Sequence, residues 1–427
     1  MNISQTFIVP AIPAHSFRWA SRILLVLFCI CLFACGNSSD GSRETGCLPR
    51  LYITIPHNAE MPLMKDVWTE NCSIEIIDTD GTIVYASHLL QMEGRGNSTF
   101  SKPKKPYNLK FEKKVSVLGL PQRRRLVLLA NFFDHSLMRN ALAFEVSRQT
   151  TLASTTPQGR FVELYVNDVD QGVYYLCERA KDMSPKGAML IEYDVYAYKD
   201  DPVVFKTNVD RLPVSLRKPD NLPAALLANV ECLVNDVAVA KPESVDITSL
   251  PDYFIVNELC QNAEPNGPRS CYFHSLPDGR FAAGPVWDFD LAFNTVGIDS
   301  SNDLRPMRFF SNPKVGPSLR RLDADCLYNA NALCFDILLS DSQFVDALIN
   351  RWQILRPRFE GLTAFIDSVD NLISESAVID QQMWNAQEPA RFDTCTTYSS
   401  AVKTLRNTYS NRILKLDSLL SALSAND

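Results

Sequence analysis

Two short runs of aromatic and apolar residues, Cys271 to Ser275 and Arg280 to Val286, flank Pro277-Asp278-Gly279 and lead into Trp287-Asp288-Phe289-Asp290. Such runs around a Pro-Asp-Gly turn predict a β-hairpin. If the second strand reaches position 290, its period of two sets Asp288 and Asp290 on one face and Phe289 on the other. Two carboxylates sharing a face repel, so such a pair is held by a divalent cation or by basic partners. The alternative is an N-cap or turn pair beside a buried Trp.

The 427 residues suffice for one large domain or two modest ones, and 46% hydrophobic with 21% charged residues is ordinary for a globular chain. A net charge of −7 argues against a nucleic-acid binder. Arg18 and Arg22 precede an apolar run, Ile23 to Phe33, that ends at Ala34-Cys35-Gly36. A basic start, an apolar stretch too short to span a bilayer and a small residue before the break predict a secretory signal over residues 1–34. The Leu32-Phe33-Ala34-Cys35 ending is similar to a bacterial lipobox. It predicts an exported lipoprotein of the bacterial cell envelope, outer-membrane or periplasm-facing, held to the membrane through Cys35 by a tether over 35–46. A plain signal peptide or an N-terminal anchor is the alternative. Nine cysteines follow Cys35 without a Cys-x-x-Cys pair, which argues against zinc-ribbon and thioredoxin-type sites.

From Leu48 to Met92 the pattern is β, with runs at Leu51 to Ile55, Ser73 to Ile77 and Thr82 to Tyr85. Then comes Gly94-Arg95-Gly96-Asn97-Ser98-Thr99, whose glycines let backbone N–H groups approach an anion while Asn97, Ser98 and Thr99 add donors. Tyr107 to Phe111 reads as a strand with Asn108 and Lys110 on its polar face. Between Arg95 and Arg125 ten Lys or Arg face one acid, Glu112, so an otherwise acidic chain carries a local anion trap. The same run also reads as a solvated face. Leu126 to Ala130 predicts a buried strand leading to a helix from near Ser136 to Gln149, capped by Asp134 or Ser136. In that helix Arg139 is a phosphate contact or a surface charge. A second hairpin spans Phe161 to Glu178 across Asn167-Asp168, with Glu178 as a lysine partner or an exposed strand-end acid.

Residues 47–194 thus form a β-rich part with the phosphate loop, 195–250 an insertion rich in proline and charge, and 251–427 a part with the acidic hairpin and C-terminal helices. Pro251 to Gln261 has helical period, with Tyr253, Val256 and Leu259 or Cys260 inward, and delivers Asn262-Ala263-Glu264 to the central hairpin. Phe344, Leu348, Trp352 and Leu355, and Leu405, Tyr409, Ile413, Leu416 and Leu420, repeat at helical spacing as core positions. No Ser-His-Asp or Cys-His signature stands out.

Six segments in fixed order carry a resemblance: Arg95-Gly96-Asn97-Ser98-Thr99, Lys104-Lys105-Pro106-Tyr107, Leu129-Ala130-Asn131-Phe132, Leu137-Met138-Arg139-Asn140, Gly172-Val173-Tyr174-Tyr175-Leu176 and Gly284-Pro285-Val286-Trp287-Asp288-Phe289-Asp290. The set resembles the CotH kinase family. The resemblance implies an α+β, two-lobed atypical protein-kinase-like fold, an N-terminal antiparallel sheet lobe followed by a mostly helical C-terminal lobe. It implies ATP and Mg²⁺ (or Mn²⁺) in the cleft and transfer of a phosphoryl group to Ser or Thr of a partner protein. Arg95, Gly96, Asn97 and Ser98 would then cover the phosphates, and Lys104, Lys105 or Lys110 would neutralise them, with Arg139 and Glu178 in support. Asp288, Asp290 and Asn262 would hold the metal, and Glu264 and Asp290 would act in catalysis. The family often shows Asn-x-Asp where this chain reads Asn262-Ala263-Glu264, and Phe100 stands where Trp is expected. Two other readings keep the same motifs: a surface-displayed binding or adhesion protein without turnover, and an ATP-dependent modifier of a different acceptor.

Overall fold

Apolar alternation through the first half of the chain closes on itself. The computed structural model describes residues 47–56, 63–195, 197, 203–293, 296–298, 304–306, 326–385 and 395–423; the expected signal, the tether and Cys35 lie outside them. Strands β1 (Arg50–Thr54), β2 (Thr69–Ile77), β3 (Ile83–Gly94), β4 (Tyr107–Val115), β5 (Arg123–Leu129), β6 (Gly159–Val166) and β7 (Val169–Cys177) form a closed barrel in the order β1-β2-β3-β4-β5-β7-β6. Closure falls to β1, antiparallel to β2 and parallel to β6, with Leu51 beside Leu164. Leu51, Ile53, Ile74, Ile76, Leu109, Phe111, Leu126, Leu128, Leu164 and Leu176 belong to one buried cluster that fills the barrel. The β6–β7 hairpin turns on Asn167 and Asp168, at φ 50° and 61°, the left-handed pair that a two-residue hairpin loop requires.

A second sheet runs in the order β12-β11-β8-β10-β9, from β8 (Leu190–Tyr193), β9 (Val204–Lys206), β10 (Pro213–Lys218), β11 (Cys271–Ser275) and β12 (Phe281–Ala283). Two short strands, β13 (Val296–Ile298) and β14 (Leu304–Pro306), pair separately. The helices are α1 (Arg139–Arg148), α2 (Leu227–Ala238), α3 (Leu250–Leu259), α4 (Phe335–Leu338), α5 (Ser342–Glu360), α6 (Thr363–Asn385) and α7 (Tyr398–Leu423). Val127, Leu129, Val173, Tyr175 and Cys177 belong to a second buried cluster, with the second sheet and the helices. The end of β5 is therefore apolar on both faces, which explains its unbroken run in the sequence. Every residue of α3 is buried, not one stripe of it, because the helix sits centrally and packs against α1, α5, α7 and β12.

The two-lobed kinase-like arrangement is not what forms. The strands expected to make an open sheet lobe close into a seven-stranded barrel, and a second, five-stranded sheet stands beside the helices of the remainder. Strand pattern specifies which face of a strand is buried; it does not specify whether the outer strands find each other. The parallel β1–β6 pairing settles that here.

Candidate functional site

Past β12 the chain leaves the sheet. Proline at 285 has no N–H for a ladder, and Asp288 takes a left-handed conformation at φ 66°. The expected strand to position 290 therefore stops at Ala283, and Asp288 and Asp290 stand in a turn beside the buried Trp287. That turn is held from α1: the Phe289 N–H donates to Asn140 Oδ1 at 2.8 Å, and Asn140 Nδ2 donates to Asn131 Oδ1 at 3.0 Å. The helix α1 begins at Arg139 with Met138 at its N-cap, not Asp134 or Ser136; Asp134 lies upstream and accepts from the Ser136 N–H at 2.9 Å and from the first helical N–H, of Arg139, at 2.8 Å. Arg139 Nη1 reaches the Asp290 carbonyl at 3.4 Å, and its Nε lies 3.5 Å from Asp134.

Four carboxyl groups, Asp134, Glu264, Asp288 and Asp290, gather here. Burial raises Asp290 to about 8, with Asp288 and Asp134 adding to the rise and Arg139 and Arg269 opposing it. Burial also lifts Asp288, against Arg95 and Arg269. Glu264 is driven well up by burial, opposed by Arg269 and raised further by Asp288 and Asp290. Arg269 donates from Nη2 to Glu264 Oε1 at 2.9 Å, and its Nε lies 2.8 Å from Oε2 in the same ion pair. The Asn262 amide donates to Asn257 Oδ1 at 2.9 Å and accepts the Glu264 N–H at 3.2 Å, which fixes the Asn262–Glu264 turn below the acids.

The glycine loop comes to the same place. It starts where β3 ends; the Arg95 N–H donates to the Pro106 carbonyl at 3.1 Å, and Gly96 sits at φ 86°, where a side chain would strain the backbone and meet Thr99. The Arg95 guanidinium lies over the Trp287 ring, 5.6 Å from its centre. Asn97 and Ser98 are exposed, and Asn97 Oδ1 accepts from Lys65 at 2.7 Å.

The other predicted cations are dispersed. Lys104 is buried, donating to the Val173 carbonyl at 2.6 Å and paired with Asp380 of α6. Lys105 donates to the Phe100 carbonyl at 2.7 Å. Lys110 stands on the outer barrel wall over Trp68. Glu178, buried, pairs with Arg123 at 2.7 Å instead of a lysine and accepts the Gln158 N–H at 3.0 Å. Arg269 and Asp380 are contributions that the sequence reading missed. Neither sits in a motif or a periodic run that would have marked it.

Two carboxylates and an amide are oxygen donors of the kind Mg²⁺ takes, usually one or two carboxylates completed by water and substrate phosphates. Among the described residues no group of three or more His, Cys, Asp or Glu is arranged as a metal cage. The repulsion between Asp288 and Asp290 is what a cation would relieve, so the donor chemistry fits.

A family model described as CotH kinase protein matches residues 92–414, from the end of β3 into α7. The comparison with curated proteins gives no match.

Proposed function

The chain belongs to the CotH kinase family, and on that footing we propose that it transfers a phosphoryl group from ATP to a Ser or Thr hydroxyl of a partner protein in a Mg²⁺-dependent reaction. The observation that carries this reading is the meeting of Arg95 and the Trp287-Asp288 turn, 5.6 Å from guanidinium to ring centre. Bound ATP would supply the phosphoryl group, and Mg²⁺ would neutralise its charge. From this chain, Asp288 and Asp290 would hold the metal, and Arg95 with the N–H groups of Gly96, Asn97 and Ser98 would take up phosphate charge. Glu264 would orient the acceptor hydroxyl, with Arg269 setting its carboxyl in place.

Export and anchoring through a lipidated Cys35 belong to the same proposal and rest on residues 18–36 of the sequence. The test is a thermal-shift titration of the purified protein with ATP and Mg²⁺ or Mn²⁺, run beside Asp288→Asn. Metal-dependent stabilisation by ATP that the variant lacks supports the reading; equal stabilisation of both removes the metal role of Asp288. The ion pair of Arg269 with Glu264 favours a second reading, nucleotide binding without turnover. ATP binding with no transfer to any protein hydroxyl would select it.

A further inference from the structure

The outer wall of the barrel carries cations that the acid turn does not use. Leu109 and Phe111 of β4 belong to the barrel core, so Asn108 and Lys110 point outward. Lys110 stands directly opposite Arg125 of β5 in the antiparallel register. Like charges so placed destabilise a strand pair. Both lie against Trp68, the Lys110 ammonium 5.2 Å and the Arg125 guanidinium 5.5 Å from the ring centre. Lys218 at the end of β10 donates to Ser184 Oγ at 3.2 Å and shares Asp182 and Arg179 with Arg125 as charged neighbours.

Three of the nearby acids are already engaged. Glu178 pairs with Arg123 at 2.7 Å, Asp182 takes both ends of Arg179 at 2.8 and 3.0 Å, and Glu93 accepts from Asn108 at 2.9 Å. Lys110, Arg123, Arg124, Arg125, Arg179 and Lys218 thus meet Glu93, Glu178, Asp182 and Asp220, an excess of cations. Burial draws down both Arg125 and Lys218, with Arg179 adding to the fall of each and Asp182 opposing it. All three of Lys110, Arg125 and Lys218 are half-buried, so none is a freely solvated charge. The patch begins three residues along β4 from the Gly94–Tyr107 pair that opens the glycine loop, about 10 Å at the rise of a strand.

We propose that Lys110, Arg125 and Lys218 form an anion site for a phosphate-type oxyanion, with Trp68 fixing the two barrel cations. Two sources share that chemistry: the phosphate chain of a nucleotide held at the acid turn, or a phosphate group carried separately, as on an already phosphorylated acceptor. The site stands on its own charges, so it does not need the phosphotransfer reading to hold.

The probe is inorganic tripolyphosphate in metal-free buffer, titrated calorimetrically against the full chain. The parent and Asp288→Asn bind it alike, and Arg125→Gln/Lys218→Gln binds at least tenfold more weakly with a shallower salt dependence. The control Lys113→Gln/Lys114→Gln, which removes the same charge from exposed positions of β4, changes affinity less than twofold. The Arg125→Gln/Lys218→Gln protein melts at or above the parent temperature, because repulsion is relieved. Unchanged affinity in that variant, or an equal loss in the control, overturns the site. A parallel titration with Mg²⁺ and ATP assigns the source: a matching tenfold loss means the nucleotide's phosphates reach the patch, and unchanged ATP affinity means a separate phosphate occupies it.

Discussion

Arg95 and Trp287 come from opposite halves of the chain, yet the guanidinium of one rests 5.6 Å from the ring centre of the other. The contact joins the glycine loop on the barrel to the acid turn beyond the second sheet. Its own stabilisation is modest, about 0.5–1 kcal/mol for a partly exposed cation over an aromatic face. Its consequence is electrostatic, since the Arg95 guanidinium opposes the upward shift of Asp288 more than Arg269 does.

Arg95→Met keeps a long apolar stem over Trp287 and removes the charge. Its melting temperature should stay within about 2–4 °C of the parent, in line with a loss near 1 kcal/mol in a chain of this size. Affinity for ATP with Mg²⁺ should fall about tenfold or more, read by calorimetry. An unchanged affinity would mean that the loop does not take phosphate charge.

Glu264 tests the division of labour at the acids. Glu264→Gln retains shape and hydrogen-bonding capacity and removes the negative charge that Arg269 grips. Transfer to an acceptor should slow at least a hundredfold, the usual size of a lost positioning or proton-handling group. ATP affinity should change less than threefold. Equal losses in both would make Glu264 a ligand of the metal or nucleotide.

The hairpins and long helices were legible in the sequence because their signals are local. Asn167-Asp168 between two apolar runs is a turn by its own chemistry, and Phe344, Leu348, Trp352 and Leu355 recur at three-to-four spacing, which places them on one face of a helix and not of a strand. Barrel closure was not legible, because β1 and β6 pair in parallel across more than a hundred residues with no turn between them to announce it. The acid turn was misread in shape: alternation projected a strand through 290, whereas Gly284-Pro285 and the left-handed Asp288 end it. Lys104 shows the limit for site residues. In the sequence it is one of many cations after a glycine loop; only the fold shows that its charge is spent on Asp380, a residue read merely as part of a helical stretch.

That ion pair carries its own prediction. Lys104 and Asp380 are almost wholly buried, and Asp380 also accepts the Val173 N–H at 2.8 Å. Gly172 has no room for a Cβ, which would collide with the Asp380 carboxylate. Removing one partner strands the other charge away from water, at a cost of about 3–5 kcal/mol, whereas an apolar pair of similar volume is near neutral. Asp380→Leu should therefore lose about that much in urea unfolding, and Lys104→Met/Asp380→Leu should recover most of it. If the double variant is as unstable as the single one, the lost Val173 hydrogen bond and not the stranded ammonium explains the defect.

His274 gives the pH dependence a defined sign. It is buried on β11, and its Nδ1 lies 3.0 Å from the Gly284 carbonyl, which only accepts, so the ring donates from that nitrogen. Burial lowers its affinity for a proton below the ordinary value of 6.5, outweighing the Gly284 hydrogen bond and Asp246, which both act in the opposite direction. The unfolded chain therefore takes up a proton first as the pH falls, and stability declines with acid from about 6.5 downward until the folded ring protonates too. The buried acids near Asp290 titrate with the opposite sign, being lifted in the folded state, so the parent curve alone mixes the two. Urea unfolding of the parent and His274→Gln at pH 7.5 and 5.5 separates them: the parent should lose more stability than the variant over that interval. A variant that loses as much as the parent would show that His274 is not protonated preferentially in the unfolded chain, and that its hold on Gly284, at the exit to the acid turn, is insensitive to pH.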